Sequence, residues 1–331
     1  MKGIYFQKLG SIDEITIKDT ERPKPKKHQV LVNVRASSLN YVDYANFSDY
    51  ASKGRVSFLT RMMDVTVMPK INKAVGMEVA GVVVAVGPGV SEYKEGDEVM
   101  GITAGYHGGW AEYACLPTST LSMKPSNFSF EEAATMCVSG MSAYGAVRSA
   151  RIRKGQHVLI YGASGGVGQY ALQLSKMAGA RITAVCSTRN LAMAKDLGAE
   201  TVIDYKKEDF SKNGKRYDVI LGINGNLPLR TYRDALEKHG RYIAVGNMTQ
   251  FMKGFMIGSL TSLFSSKKLG GSSYFFVNKK ESLDCLRNGA EAGTIKPQID
   301  SVHFAGGIKK AIEYVVEEHP QGKVVLRMDF R

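Results

Sequence analysis

The sequence predicts a two-part α/β protein: a β-rich first half, a doubly wound parallel sheet after it, and a C-terminal tail that returns to the first half. Three observations carry that prediction. Short apolar runs separated by Gly, Pro and Asn turns fill residues 1–120 at the spacing of a small β-barrel. Strand and helix patterns alternate from about 157 to 277, as a parallel sheet with crossover helices requires. A glycine-rich turn, Gly162-Ala163-Ser164-Gly165-Gly166-Val167-Gly168, joins the first strand of that alternation to its first helix.

The elements follow in order. Val30–Arg35 is expected as a strand, Val79–Val86 as a long buried one stopped by Gly87-Pro88-Gly89, and Glu98–Ile102 and Ala111–Leu116 as two more. Ser129 with Glu132 forms a capping box ahead of a helical region, Ala133–Ala150. Six strands are then expected at 157–161, 182–186, 202–204, 217–221, 241–246 and 272–277. A helix near 306–318 and a strand at Lys323–Arg327 should rejoin the first half. The expected division is 1–124 with 278–331 for one domain and 125–277 for the other.

Composition narrows the class. A chain of 331 residues with 44% hydrophobic content can bury a sizeable core in two domains. Cys115, Cys137, Cys186 and Cys285 show no CxxC spacing, which points to reduced thiols and a cytoplasmic setting. The N-terminus has no apolar signal core, and no run of eighteen apolar residues exists to span a bilayer. The net charge of +13 is spread along the chain, and its densest cluster, Arg22–Lys27, is interrupted by prolines. No nucleic-acid partner is expected from that pattern; a solvated loop or a general field attracting an anionic cofactor is.

The glycine turn has the strand His157–Tyr161 before it and the helical pattern Tyr170–Met177 after it, so its backbone N–H groups can meet a pyrophosphate at a helix N-terminus. The next strand, Ile182–Cys186, ends in Ser187-Thr188-Arg189-Asn190. An acid usually stands there to hold a ribose 2′-hydroxyl, yet 169–195 contains no Asp or Glu. Two hydroxyls and a cation suit a 2′-phosphate instead. The pair of motifs reads as an NADPH site, with Ser164, Gly165, Gly166 and Val167 at the pyrophosphate and Ser187 and Arg189 at the 2′-phosphate.

Taken together, the motifs resemble the medium-chain dehydrogenase/reductase superfamily, in its zinc-free, zeta-crystallin-like quinone oxidoreductase branch. The resemblance runs through Ala36–Asp43, Gly76–Gly81, Gly96–Val99, Gly109–Tyr113, Ser142-Ala143-Tyr144, the glycine turn, 186–190, Leu197-Gly198-Ala199 and Val202–Tyr205. It implies a GroES-like β-barrel catalytic domain joined to a Rossmann domain. It also places Tyr205 beside the 2′-phosphate, and sets Asn40, Met77 and Val138 where zinc enzymes carry Cys, His and Cys. A thioether and an amide do not make a tetrahedral zinc site. Cys137 is one residue off, and on a helix would point roughly 100° away, as a small buried hydrophobe.

Without a metal to polarise an alcohol, the expected chemistry is hydride transfer from NADPH to a conjugated acceptor, a small apolar quinone or enone. Asn40, Tyr44 and Ser142 are the expected catalytic lining, with Asp43 beside them. Gly222, Asn224, Gly246 and Asn247 lie past the fourth and fifth strands, at the crevice where dinucleotides bind, and Arg327 is a further phosphate contact. The alternative is an NADPH-binding redox-sensing or structural protein with little turnover. Two segments stay open: 52–73 as a cover over the site, and the apolar 251–268 as a substrate pocket wall, a homodimer contact or a membrane-surface element, the last ranked lowest.

Overall fold

The valine-rich runs of the first half pair as antiparallel strands in which consecutive residues are buried, so both faces are covered over much of their length. The computed structural model describes residues 1–6, 11–44, 74–103, 105, 107–246, 248–261, 265–273, 277–318 and 320–330. These form two units: residues 1–138 with 278–292 and 298–331, and residues 139–277 with 293–297. The first division falls at 138/139, inside a helix, where the sequence placed it at 124/125.

In chain order, β1 (Lys2–Phe6) and β2 (Ile15–Asp19) form an antiparallel pair. Then come β3 (Gln29–Ser38), the helical turn α1 (Tyr41–Tyr44), β4 (Glu78–Val86), β5 (Glu98–Ile102), β6 (Tyr113–Pro117) and β7 (Leu121–Met123). The capping box is present: Ser129 Oγ accepts the Glu132 N–H at 3.1 Å and Glu132 accepts the Ser129 N–H at 2.8 Å. It starts α2 (Phe130–Ala134), and α3 (Cys137–Ala150) follows. The single helix expected over 133–150 is broken between them. Thr135 donates its hydroxyl to the Glu132 carbonyl, and the N–H groups of Thr135 and Met136 reach back only three residues, which tightens and ends the turn.

The second unit is the doubly wound sheet. It comprises β8 (His157–Tyr161), α4 (Gly166–Met177), β9 (Arg181–Cys186), α5 (Leu191–Asp196), β10 (Thr201–Asp204), β11 (Tyr217–Ile223), α6 (Leu229–Asp234), β12 (Leu236–Val245), α7 (Met248–Thr261) and β13 (Lys268–Ser272). The strands run parallel in the order β10-β9-β8-β11-β12-β13, so the winding reverses between β8 and β11. Buried Leu159, Ile220, Tyr232 and Tyr242 belong to its core, the last two stacked with ring centroids 4.5 Å apart.

The sixth strand sits at 268–272, not at the expected 272–277, of which 274–276 lie outside the described residues. Its glycines explain both the position and the error. Helix α7 approaches so closely that a Cβ on Gly254 would stand 2.6 Å from the Gly270 carbonyl oxygen, and one on Gly258 2.4 Å from that of Leu269. A helix packed backbone to backbone on a strand needs glycine on its contact face, whereas propensity reads paired glycines as a turn. Much of the open 251–268 segment is therefore this crossover helix lying on its own sheet.

The C-terminal part returns to the first unit as α8 (Lys279–Glu291), β14 (Ile299–Phe304), α9 (Ile308–Glu318) and β15 (Lys323–Arg327). The sheet order is β14-β15-β3-β4-β5-β7, with β6 also paired to β3. Ile308 and Ile312 of α9 pack with Ile4, Phe6, Leu39, Trp110 and Leu326 in one buried cluster.

Candidate cofactor and reaction site

Each unit carries its own set of candidate residues. In the second unit the C-terminal ends of the parallel strands gather residues far apart in sequence. The glycine turn leaves β8, 187–190 leave β9, Tyr205 follows β10, Asn224 follows β11 and Gly246 follows β12. The turn is drawn tight: a Cβ on Gly168 would lie 2.1 Å from the Gly162 carbonyl oxygen, so only glycine lets α4 start this close to β8. Gly165 is the N-cap of α4 and no side chain caps that terminus. The opening N–H groups of a twelve-residue helix are thus available to an anion.

Asn190, buried at the end of the 3₁₀ turn Thr188–Asn190, ties this turn to the next strand's loop. Its Nδ2 donates to Ser164 Oγ at 2.9 Å and to Ser187 Oγ at 3.0 Å. Both hydroxyls accept from Asn190, which leaves their own protons to donate elsewhere. Asn190 Oδ1 is buried and has no protein partner among the described residues. Arg189 and Tyr205 are exposed on the same edge, Tyr205 at 53%. These residues fit a 2′-phosphorylated dinucleotide: an uncapped helix terminus for the pyrophosphate, then hydroxyls and a guanidinium for the added phosphate.

Reading the sequence for acids along 169–195 missed Asp204, which enters from β10. Thr188 Oγ1 donates to its carboxylate at 2.6 Å and the Lys206 N–H at 3.0 Å. The Thr188 hydroxyl, followed by the Lys206 N–H and the charges of Lys207 and Lys206, holds its pKa below the usual carboxylate range. The acid is engaged by the turn itself. Strand pairing between β9 and β10, which sets Asp204 opposite Cys186, is the signal that finds it.

Gly222 lies inside β11, where the Tyr242 hydroxyl would stand 2.7 Å from any Cβ. Asn224 has φ +50° and donates its N–H to the Val245 carbonyl at 2.8 Å, and its Oδ1 fills the place a Cβ on Gly246 would take. Asn247 is outside the described residues. Ser142 is 6% exposed on α3.

In the first unit, strand register builds a buried polar cluster. Beta-3 pairs with β4 through Ala36↔Ala80 and with β15 through Val325↔Ser38. Continued by two residues, those registers place Glu78 beside Ser38 and Lys323 beside Asn40. Lys323 Nζ lies 3.2 Å from Glu78 Oε1, with side chains 4% and 0% exposed. Lys323 also donates to Asn40 Oδ1 at 2.7 Å and to the Leu39 carbonyl at 3.0 Å. Asn40 Nδ2 donates to Glu78 Oε1 at 2.7 Å, Ser38 Oγ donates to the same oxygen, and the Val138 N–H reaches Oε2 at 2.6 Å. Asp43 accepts the Asn40 N–H at 2.8 Å, and burial lifts its carboxyl to about 7. Tyr44 ends α1; its side chain is not among those described.

The three positions matched to zinc ligands hold an amide already bonded to Lys323 and Glu78, the buried thioether of Met77 and the apolar side chain of Val138. Burial, then the Glu78 carboxylate, pushes the neighbouring Cys137 thiol well above its ordinary pKa, which disfavours the thiolate a metal needs. This donor set does not fit zinc. Among the described residues no three His, Cys, Asp or Glu side chains converge as a metal site. Arg327, the expected further phosphate contact, donates to Glu131 at 2.6 Å.

Known proteins agree with this architecture. A family described as alcohol dehydrogenase GroES-like domain matches residues 26–126, and one described as zinc-binding dehydrogenase matches 197–326. The chain is 31% identical over 316 residues to a chloroplast envelope quinone oxidoreductase homolog of Arabidopsis thaliana, covering 92% of this chain and 91% of that one. It is 27% identical to an NADPH-dependent alkenal/one oxidoreductase of the same plant, covering 98% and 79%. The solved quinone oxidoreductase of Coxiella burnetii superposes with a TM-score of 0.84 at 28% identity, over 99% of both chains.

Proposed function

The chain belongs to the medium-chain dehydrogenase/reductase superfamily, in its quinone oxidoreductase branch, and from that premise we propose that it is an NADPH-dependent, zinc-independent reductase of quinones or α,β-unsaturated carbonyls. The observation that carries the reading is that Asn40, at the first position matched to a zinc ligand, has its amide engaged by Lys323 and Glu78, with buried Met77 and Val138 at the other two. The relative named for alkenals and NADPH supports the same reaction class.

Bound NADPH supplies the hydride. Ser164, Gly165, Gly166 and Val167 hold the pyrophosphate, Ser187 and Arg189 the 2′-phosphate, and Gly222, Asn224, Gly246 and Asn247 line the crevice toward the nicotinamide. Asn40, Tyr44 and Ser142 orient the nicotinamide and the acceptor. Oxidising a simple alcohol requires an O–H proton to leave as hydride departs, and zinc enzymes promote that by acidifying the bound hydroxyl. An amide, a thioether and a valine cannot. A conjugated acceptor takes hydride on one atom and delivers charge to a distant oxygen, where a neutral donor and a solvent proton complete the reduction.

No helix among the described residues is long and apolar enough to cross a membrane; the cytoplasmic setting we propose rests on the scattered cysteines, which show no CxxC spacing. The test is a panel of quinones, enones, enals and short alcohols with NADPH, NADH and their oxidised forms. Steady NADPH consumption with a conjugated acceptor is expected. Robust alcohol oxidation with no turnover of any conjugated acceptor overturns the reading.

A further inference from the structure

Lys323 and Glu78 lie 245 positions apart in the chain yet meet at 3.2 Å in a nearly solvent-free place. Their donor and acceptor capacities are almost fully used. The three ammonium protons have the Leu39 carbonyl, Asn40 Oδ1 and Glu78 Oε1 as acceptors. The carboxylate takes Ser38, Asn40 and Lys323 on one oxygen and the Val138 N–H on the other. Ser37 Oγ further pins the Glu78 carbonyl at 2.6 Å, so the start of β4 cannot shift away from β3.

Asn40 stands between the two charges. The two ends of a carboxamide are nearly the same size, and sterics alone do not choose between its two orientations. Chemistry does choose here. A lysine ammonium only donates and an ionised glutamate only accepts, so the oxygen must face Lys323 and the nitrogen must face Glu78. Turning the amide over would set N–H against ammonium and oxygen against carboxylate, replacing two hydrogen bonds by two repulsions. Asn40 is also the residue before α1, and its N–H is held by Asp43. Whatever fixes Asn40 fixes the entry of this turn.

We propose that Lys323 and Glu78 are positioning residues for the reaction, their buried ion pair holding the Asn40 carboxamide and the turn behind it in one orientation. Stability alone does not explain such a pair, since apolar residues of similar volume commonly serve a core as well or better. The proposal rests on the reading that Asn40 serves reduction.

The experiment compares wild type with Lys323→Arg and with the double variant Lys323→Met/Glu78→Gln, which leaves no lone buried charge. Measured are kcat with a quinone, the dissociation constant of NADPH, the primary isotope effect with NADPH deuterated at the transferred position, and the Asn40 side-chain amide cross-peaks, assigned by their loss in Asn40→Ala. The double variant should lose about tenfold or more in kcat, keep its NADPH affinity, and show a larger isotope effect because the hydride step has slowed. Its Asn40 cross-peaks should broaden or double, and Lys323→Arg should recover most of the loss.

A folded double variant with wild-type kcat overturns the proposal. So does a kcat loss accompanied by unchanged Asn40 cross-peaks, which is what a merely structural role would produce. Should the double variant fail to fold, solvent exchange of the Asn40 amide protons in the wild type decides: protection supports the proposal, and exchange at the rate of a free amide overturns it. If the wild type turns over no acceptor, it is the functional reading that fails, and the cross-peak and exchange measurements still judge the positioning.

Discussion

Replacing Asp43 by Asn should remove a pH dependence of stability that the first unit carries between about pH 4 and 7. Asp43 is 3% exposed, and burial raises its carboxyl from 3.8 to about 7, with the Glu78 charge adding to the rise and Asn40 and Lys323 opposing it. In the unfolded chain the group releases its proton near its ordinary value. Across this window the folded state therefore binds one proton more than the unfolded state, and stability must fall as pH rises, by about 1.4 kcal/mol per pH unit. Between 3.8 and about 7 the loss totals about 4 kcal/mol. Asparagine can still accept the Asn40 N–H and has no proton to lose. The stability difference between variant and wild type should thus move by about 4 kcal/mol in the variant's favour from pH 4 to pH 8. Trp110 is the single tryptophan and is fully buried in the same unit, so urea unfolding followed by its fluorescence reads this unit. Parallel pH profiles for the two proteins would refute the reasoning, because Asp43 would then be ionised in the fold.

Three further outcomes are expected. Arg189→Ala should weaken NADPH binding roughly tenfold or more and leave NADH binding nearly unchanged; equal losses for both cofactors, measured by fluorescence titration, would remove Arg189 from the 2′-phosphate. Elemental analysis of the purified protein should find no stoichiometric zinc, and chelators should leave turnover intact; one tightly held zinc per chain would contradict the donor-set argument. Gly258→Ala places a Cβ 2.4 Å from the Leu269 carbonyl oxygen, so α7 must lift from β13 at about 1–3 kcal/mol, visible as a lower urea midpoint; an unchanged midpoint would mean that the helix does not pack there as closely as described.

What the sequence disclosed and what it withheld divide along the range of the forces involved. The strands 98–102, 157–161 and 323–327 were readable to the residue because each is a short apolar run with a local stop. The capping box at Ser129 and the glycine turn at 162–168 were readable for the same reason: their partners lie within a few positions. The break at Thr135 was not, since a threonine hydroxyl competing for a carbonyl leaves no mark on apolar periodicity. The strand at 268–272 was displaced in the reading because its glycines answer to α7, whose approach is a tertiary event. Asp204 and Lys323 make the strongest case. Each is unremarkable in its own strand, and each acquires meaning only when register sets Asp204 opposite Cys186 and carries Lys323 to Asn40. Glu78 stands inside the motif Gly76-Met77-Glu78, yet its charged partner Lys323 lies 245 positions away and no local pattern points to it; only the register does. With a carboxylate on β4 and an ammonium on β15, the residue between them on the β3 side must be one that can donate to the first and accept from the second. A carboxamide does both, which is why Asn40, and neither an apolar nor a singly charged side chain, completes this cluster.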